Sequence, residues 1–208
     1  MIRVARSEFV MGSSIEDVLA ALARCAGEPL GHRCTERTFS NELPKIAASA
    51  GSFWLDRTEV TVEAYERCVE LDACPARKLV GGERRLAAKT LPVTLVSAYE
   101  AEAYCRFRGA RLPSEAEFER AARGTLGRTY PWGDSYNSRL ANHGRLGFER
   151  VDASDGFEEL APVGSFVSGR TPDGFLDLAG NAAEWTQDVY TERHGLPPEP
   201  GRTGERAW

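Results

Sequence analysis

Residues 173–188 read DGFLDLAGNAAEWTQD and hold three aspartates, one glutamate, one asparagine, two glycines and one tryptophan. Asp177 and Glu184 flank a Gly180–Asn181 pair, the chemistry of a tight turn. Two acids beside a turn whose backbone carbonyls are close at hand suit a hard cation, which takes several oxygens of mixed side-chain and backbone origin. The competing reading is a pair of solvated loop acids. Spacing alone prefers that plainer reading, because the stretch does not fit a 12-residue EF-hand loop.

Other chemistry-bearing residues are sparser. The chain has five cysteines. Cys68 and Cys74 in ERCVELDACP are close enough to close a small disulfide loop, and Cys25 and Cys34 in RCAGEPLGHRC a second. Cys105 is left over inside an apolar helical pattern. Five reduced, buried cysteines are the alternative, but the neighbouring spacings favour disulfides. No C-x-x-C pair occurs and His32, His143 and His194 are scattered, which argues against zinc. Glu115, Glu117 and Glu119 fall on differing faces of a predicted helix, so they do not form a paired-carboxylate acid–base site. Arg111 and Arg123 read as partners for nearby acids, Trp132 as a packed turn anchor, and Trp185 as a wedge behind the acidic loop.

The elements that must hold these residues are short. A formal net charge of −5 over 208 residues argues against a nucleic-acid partner. No apolar run reaches membrane-spanning length. Twenty glycines and eleven prolines predict many turns, and no solenoid period is present. EFVMGSS reads as a strand running into a capping box of Ser13 with Glu16. Ile15, Val18, Leu19 and Leu22 follow as one helical face. Residues 26–50 read as loop. Phe53 to Leu55 suit a strand, and Thr61 caps a helix that buries Val62, Tyr65 and Val69. Pro92 to Val96 is strand-like. Ser97 with Glu100 boxes a helix bearing Ala101, Tyr104 and Cys105, ended by Gly109. Ser114 with Glu117 boxes another, with Phe118, Ala121 and Ala122 as its stripe and Gly124 as its stop. Beyond Gly124 the regular patterns fade into turns, aromatics and acids, as on a functional surface.

The order of segments FVMGSS, FWLDRTEVTVEAYERCVE, LPVTLVSAYEAEAYCRFRGARLPSEAEFERAARG, YPWGD, APVGSF and DGFLDLAGNAAEWTQDVY resembles the sulfatase-modifying-factor family, which includes the formylglycine-generating enzymes. The likeness runs from about Glu8 to Tyr190. It implies a single irregular α+β domain over residues 1–208, related to the C-type lectin fold. It also implies calcium in two loop sites. One would use the side chains of Asn142 and Asp155 with the carbonyls of His143 and Phe157. The other would use the side chains of Asp177 and Glu184 with the carbonyls of Gly180 and Ala182.

The resemblance further implies an Arg-Gly-Gly-Ser-Trp-like strand and, in the formylglycine generators, a later cysteine pair that binds copper. Nothing after Tyr190 here contains a cysteine, so the chain reads as a fragment or a degenerate member, with no catalytic residue assigned. Soft thiolates suit Cu(I), and without that pair copper has no evident seat. Three functions follow. The foremost is a non-catalytic binding or sensory module that takes a protein or peptide ligand. The second is the N-terminal part of a formylglycine-generating oxidoreductase acting on a cysteine of a substrate protein. The third is a relative of the iron-dependent sulfoxide synthases, for which three isolated histidines supply no cluster. The opening MIRVARSEFVMGSS lacks a signal-peptide core, favouring the cytoplasm, whereas the cysteine spacing favours an extracytoplasmic compartment.

Overall fold

Alternation in the first ten residues sets the sheet scaffold. The computed structural model describes residues 1–27, 33–143, 145–146, 150–151 and 153–190. Strand β1 (Ile2–Val4) and strand β2 (Ser7–Met11) precede helix α1 (Ile15–Ala26) and helix α2 (Glu36–Phe39). Strands β3 (Ile46–Ala50) and β4 (Phe53–Leu55) then return. β2 pairs antiparallel with β3, placing Phe9 opposite Ala48, and β1 pairs antiparallel with β4, placing Val4 opposite Phe53. Helices α3 (Val62–Glu70), α4 (Ala98–Phe107) and α5 (Glu115–Arg123) follow, and the short strands β5 (Arg145–Leu146) and β6 (Arg150–Val151) pair with each other. The outcome is a mixed α+β arrangement of small sheets and long irregular stretches, as expected.

Two apolar clusters hold it together. Val4, Phe9, Met11, Ala50 and Phe53 from the strands bury Ala121 of α5 and Phe175 of the acidic segment. Ala121 and Phe175 are fully buried. The small side chain at 121 lets α5 lie close on β2 and β3. Polar bonds fix that contact: Gly12 N–H donates to Glu119 Oε1 at 2.8 Å, and Arg123 donates to the Gly12 carbonyl at 2.9 Å. The second cluster joins α3 to α4 through Tyr65, Cys68, Cys74 and Tyr104, with the two tyrosine rings stacked at 5.9 Å.

The capping boxes at Ser97–Glu100 and Ser114–Glu117 form with reciprocal bonds, and the Thr61 hydroxyl caps α3 through the Ala64 N–H. Gly109 and Gly124 follow their helices at φ 68° and 71°, where a side chain is disfavoured. Four details differ from the sequence reading. The first helix is capped by Ser14 with Asp17, one residue later than Ser13 with Glu16. Of its expected buried face only Val18 is fully covered, while Ile15 and Leu19 stay 63% and 56% exposed. Residues 26–50 also contain β3 and α2, because β3 is completed by pairing with β2 and not by its weak alternation. Pro92 to Val96 forms no strand. It makes a single bridge from Pro92 to Thr61, and Leu95 at φ 58° ends the extended run.

Cys25 pairs with Cys34 and Cys68 with Cys74, with Cα–Cα distances of 6.0 and 5.3 Å, and Cys105 is a free thiol. Among the described residues no helix is long and apolar enough to cross a membrane.

Candidate functional site

The acidic loop is anchored before it reaches its acids. Phe175 fills the core, and its N–H bonds the Thr171 hydroxyl while its carbonyl accepts from the Thr171 N–H. Leu176 N–H donates to the Arg57 carbonyl at 2.9 Å, and Arg57 Nε returns a bond to the Gly174 carbonyl at 3.2 Å. These bonds lay the loop along residues 56–61, the segment entering α3. They bring in a residue that the sequence reading passed over. Glu59, only 8% exposed, accepts from the Ala182 N–H at 3.1 Å and from Asn181 Nδ2 at 3.2 Å.

Asp177, Glu184 and Glu59 form one electrostatic cluster. Asp177 accepts a bond from the Gly164 N–H. Burial, followed by the charges of Glu184 and Asp177, pushes Glu59 up to about 8. Burial, followed by Asp177 and Asp56, pushes Glu184 up to about 7. Burial also raises Asp177, against the Gly164 bond and a bond with Glu59 that favour its ionised form. Carboxyl groups held above their ordinary range by burial and mutual repulsion mark a place where added positive charge is stabilising.

The turn between the acids needs its particular residues. Asp177 and Asn181 adopt φ 59° and 60°, and Gly180 adopts φ 84°. A β-carbon built on Gly180 would run into the Asn142 carbonyl oxygen, so glycine is required there for space as well as for φ. Asn181 N–H donates to that same carbonyl at 3.0 Å.

The Asn142 contact joins the second expected cation loop to the first. Asn142, His143, Asp177, Gly180, Ala182 and Glu184 line one cavity of about 810 Å³. Asp155 is tied to this region by accepting the His143 N–H at 2.8 Å and the Phe157 N–H at 2.9 Å, with its carboxylate fully covered. The structure therefore brings Asn142, His143, Asp155 and Phe157 into one locus, with the Asp155 oxygens already engaged by main-chain donors. Asn142 is 3% exposed, and its Nδ2 has no hydrogen-bond partner among the described residues. Turning the amide over presents its oxygen instead. An orphaned buried amide at one loop, and Asp177 and Glu184 lining a cavity with turn residues at the other, are oxygen donors of the kind calcium takes. Among the described residues no group of three or more His, Cys, Asp or Glu forms a ready-made metal cluster. Backbone carbonyls must therefore carry much of any coordination.

Other expectations resolve as packing. Trp185 Nε1 donates to the Val96 carbonyl at 2.9 Å, and Trp132 Nε1 to the Ser135 carbonyl at 3.0 Å while its ring stacks on Tyr130. Arg111 makes a two-pronged pair with Glu117, and Arg123 pairs with Glu119. The Cys105 thiol is pushed up, mainly by burial and then by Asp56. His32 and His194 lie outside the described residues. Glu59 was missed because an acid two residues before a helix cap reads as ordinary helix-entry charge; no local signal shows that it turns inward.

The described residues thus form small sheets and irregular loops, with the buried Glu59 and the half-buried Asp177 and Glu184 set near a Gly–Asn turn. Residues 1–206 match the family described as sulfatase-modifying factor enzyme 1-like domain, and the chain belongs to that family. The inactive C-alpha-formylglycine-generating enzyme 2 of mouse is 46% identical over 102 residues, which is 48% of this chain and 33% of that protein. The formylglycine-generating enzyme of Mycobacterium tuberculosis is 40% identical over 112 residues, 51% of this chain and 36% of that protein. That of Streptomyces coelicolor is 40% identical over 123 residues, 54% and 38% respectively. The match thus spans little more than a third of the length of these curated relatives.

Proposed function

We propose that these 208 residues act as a calcium-organised binding domain of the sulfatase-modifying-factor family, taking a segment of a partner protein as ligand. The observation that carries the calcium reading is that Asp177 and Glu184 line one cavity with Gly180 and Ala182, while Glu59 holds the Ala182 N–H from behind the turn. The residues to hold one ion are Asp177 and Glu184 with the carbonyls of Gly180 and Ala182. Those for a second are Asn142 and Asp155 with the carbonyls of His143 and Phe157. A bound calcium supplies the positive charge that lets buried carboxylates stay ionised side by side.

A second reading has specific support: relatives 40% identical are named formylglycine-generating enzymes. In that reading the chain is the N-terminal part of an oxidoreductase acting on a substrate-protein cysteine. The thiols within these residues do not fit copper. Four are consumed in disulfides, and Cys105 is a half-buried thiol held in its protonated form. No step through copper is drawn from them. The mouse relative named as inactive supports the non-catalytic reading. Two disulfides within the chain support an oxidising compartment as its place of work.

The test is thermal unfolding of the 208-residue chain in calcium and in chelator. At about a hundred times the dissociation constant, calcium adds roughly 2.7 kcal/mol of stability. Glu184→Gln blunts that gain. Superimposable melting curves in calcium and in chelator refute the calcium reading.

A further inference from the structure

We infer that Asn181 and Glu59 form a joint that sets the two cation loops as one unit, making both of them positioning residues for the ligand carbonyls. The inference rests on the calcium reading for its consequence but on hydrogen-bond geometry for its substance. Asn181 bonds all three neighbouring segments. Its N–H donates to the Asn142 carbonyl at 3.0 Å. Its Oδ1 accepts from the Ala161 N–H at 2.9 Å, and its Nδ2 donates to the Ala161 carbonyl at 3.2 Å and to Glu59 Oε2 at 3.2 Å. The side chain thus bridges both main-chain groups of Ala161, in the manner of a paired strand.

Glu59 completes the joint from the other side. Its second oxygen takes the Ala182 N–H at 3.1 Å, which fixes the peptide plane next to the one whose carbonyl is a candidate ligand. Asn181 at φ 60° and Gly180 at φ 84° sit in the left-handed region. That conformation is disfavoured for most residues and persists where surrounding bonds hold it. Close approach removes slack as well, since Gly180 lies too near the Asn142 carbonyl to accept a β-carbon. A shift of the 180–182 turn therefore displaces Asn142, and a shift of Asn142 displaces the turn. Groups that hold metal ligands in place are worth about tenfold to a hundredfold in metal affinity when removed.

The experiment uses the full chain and three variants, with two readouts. Asn181→Gly keeps the backbone freedom and deletes the side-chain bonds. Glu59→Ala deletes the anchor, and Glu59→Gln keeps an acceptor for the Ala182 N–H. In chelator, amide exchange at His143, in the first loop, and at Asn181 and Ala182, in the second, is expected to quicken at least tenfold in Asn181→Gly and Glu59→Ala. In Glu59→Gln the Ala182 amide stays protected. Calcium titration by calorimetry is expected to show at least tenfold weaker binding at both sites in the first two variants, with affinity partly restored in Glu59→Gln. A residue that merely stabilises the fold lowers melting equally with and without calcium and leaves the affinity unchanged. Unchanged exchange at the three amides, or loosening confined to one loop, overturns the joint. Absence of calcium binding by the unmodified chain instead refutes the calcium reading, while the exchange data still decide the joint.

Discussion

The carboxyl cluster makes the metal-free domain lose stability as pH rises through neutrality. Glu59 has an ordinary value of 4.5 and a folded value of about 8. A group raised on folding stabilises fully below its unfolded value, and that contribution is lost as pH climbs through the folded value. Each tenfold gain in proton affinity on folding is worth about 1.4 kcal/mol. From about pH 5 to pH 8.5 the loss from Glu59 is therefore on the order of 4 kcal/mol. Glu184, raised to about 7, follows the same direction but faces the same charges, so its contribution overlaps with that of Glu59. For a domain of this size the fall corresponds to roughly 10 °C in melting temperature. Carboxylates lowered on folding, such as Glu117 beside Arg111, lose their contribution below about pH 4.5, outside this window. The assay is calorimetric melting in chelator at closely spaced pH values. Glu59→Gln flattens the decline, and saturating calcium removes most of it. A flat melting temperature across that window in chelator, or a Glu59→Gln variant that declines as steeply as the parent, refutes the reasoning.

Four further outcomes follow from the packing and the cysteines. Phe175→Ala empties a fully buried site between the strands and α5 and costs about 3–5 kcal/mol, read by denaturant unfolding. Non-reducing peptide mapping finds Cys68 joined to Cys74 and Cys25 to Cys34, with Cys105 a free thiol. Removing the Cys68–Cys74 link by double serine replacement costs about 2–3 kcal/mol, and alkylation of Cys68 in the native oxidised protein contradicts the pairing. Finally, incubating the chain with Cu(I), oxygen and a peptide containing Cys-x-Pro-x-Arg yields no aldehyde by mass spectrometry. Aldehyde formation means that one of the five cysteines serves copper after all.

The helices were written locally. Each box of Ser97 with Glu100 and Ser114 with Glu117 spans three residues and satisfies orphan N–H groups wherever the chain goes. Gly109 and Gly124 stop their helices for an equally local reason, the freedom to take positive φ. The two disulfides also follow from short spacings, with partners 9 and 6 positions apart. Asp177, Gly180 and Glu184 could be singled out because their contrast of acids and turn residues is contained within one stretch. Tertiary structure alone decided the rest. β3 exists because β2 lies beside it, since a strand's hydrogen bonds are made with a partner and IAASA has too little alternation to announce itself. Glu59 stands 118 positions before Asp177, and nothing in RTEVT says that it faces inward; the Arg57 and Leu176 main-chain bonds bring it there. The meeting of Asn142 with Gly180 and Asn181 is likewise a contact between distant loops, fixed by the close approach of two backbones. Sequence carries which residues can form turns, caps and ligands, because those depend on neighbours in the chain. Which of them share a cavity depends on long-range packing, which no local pattern encodes.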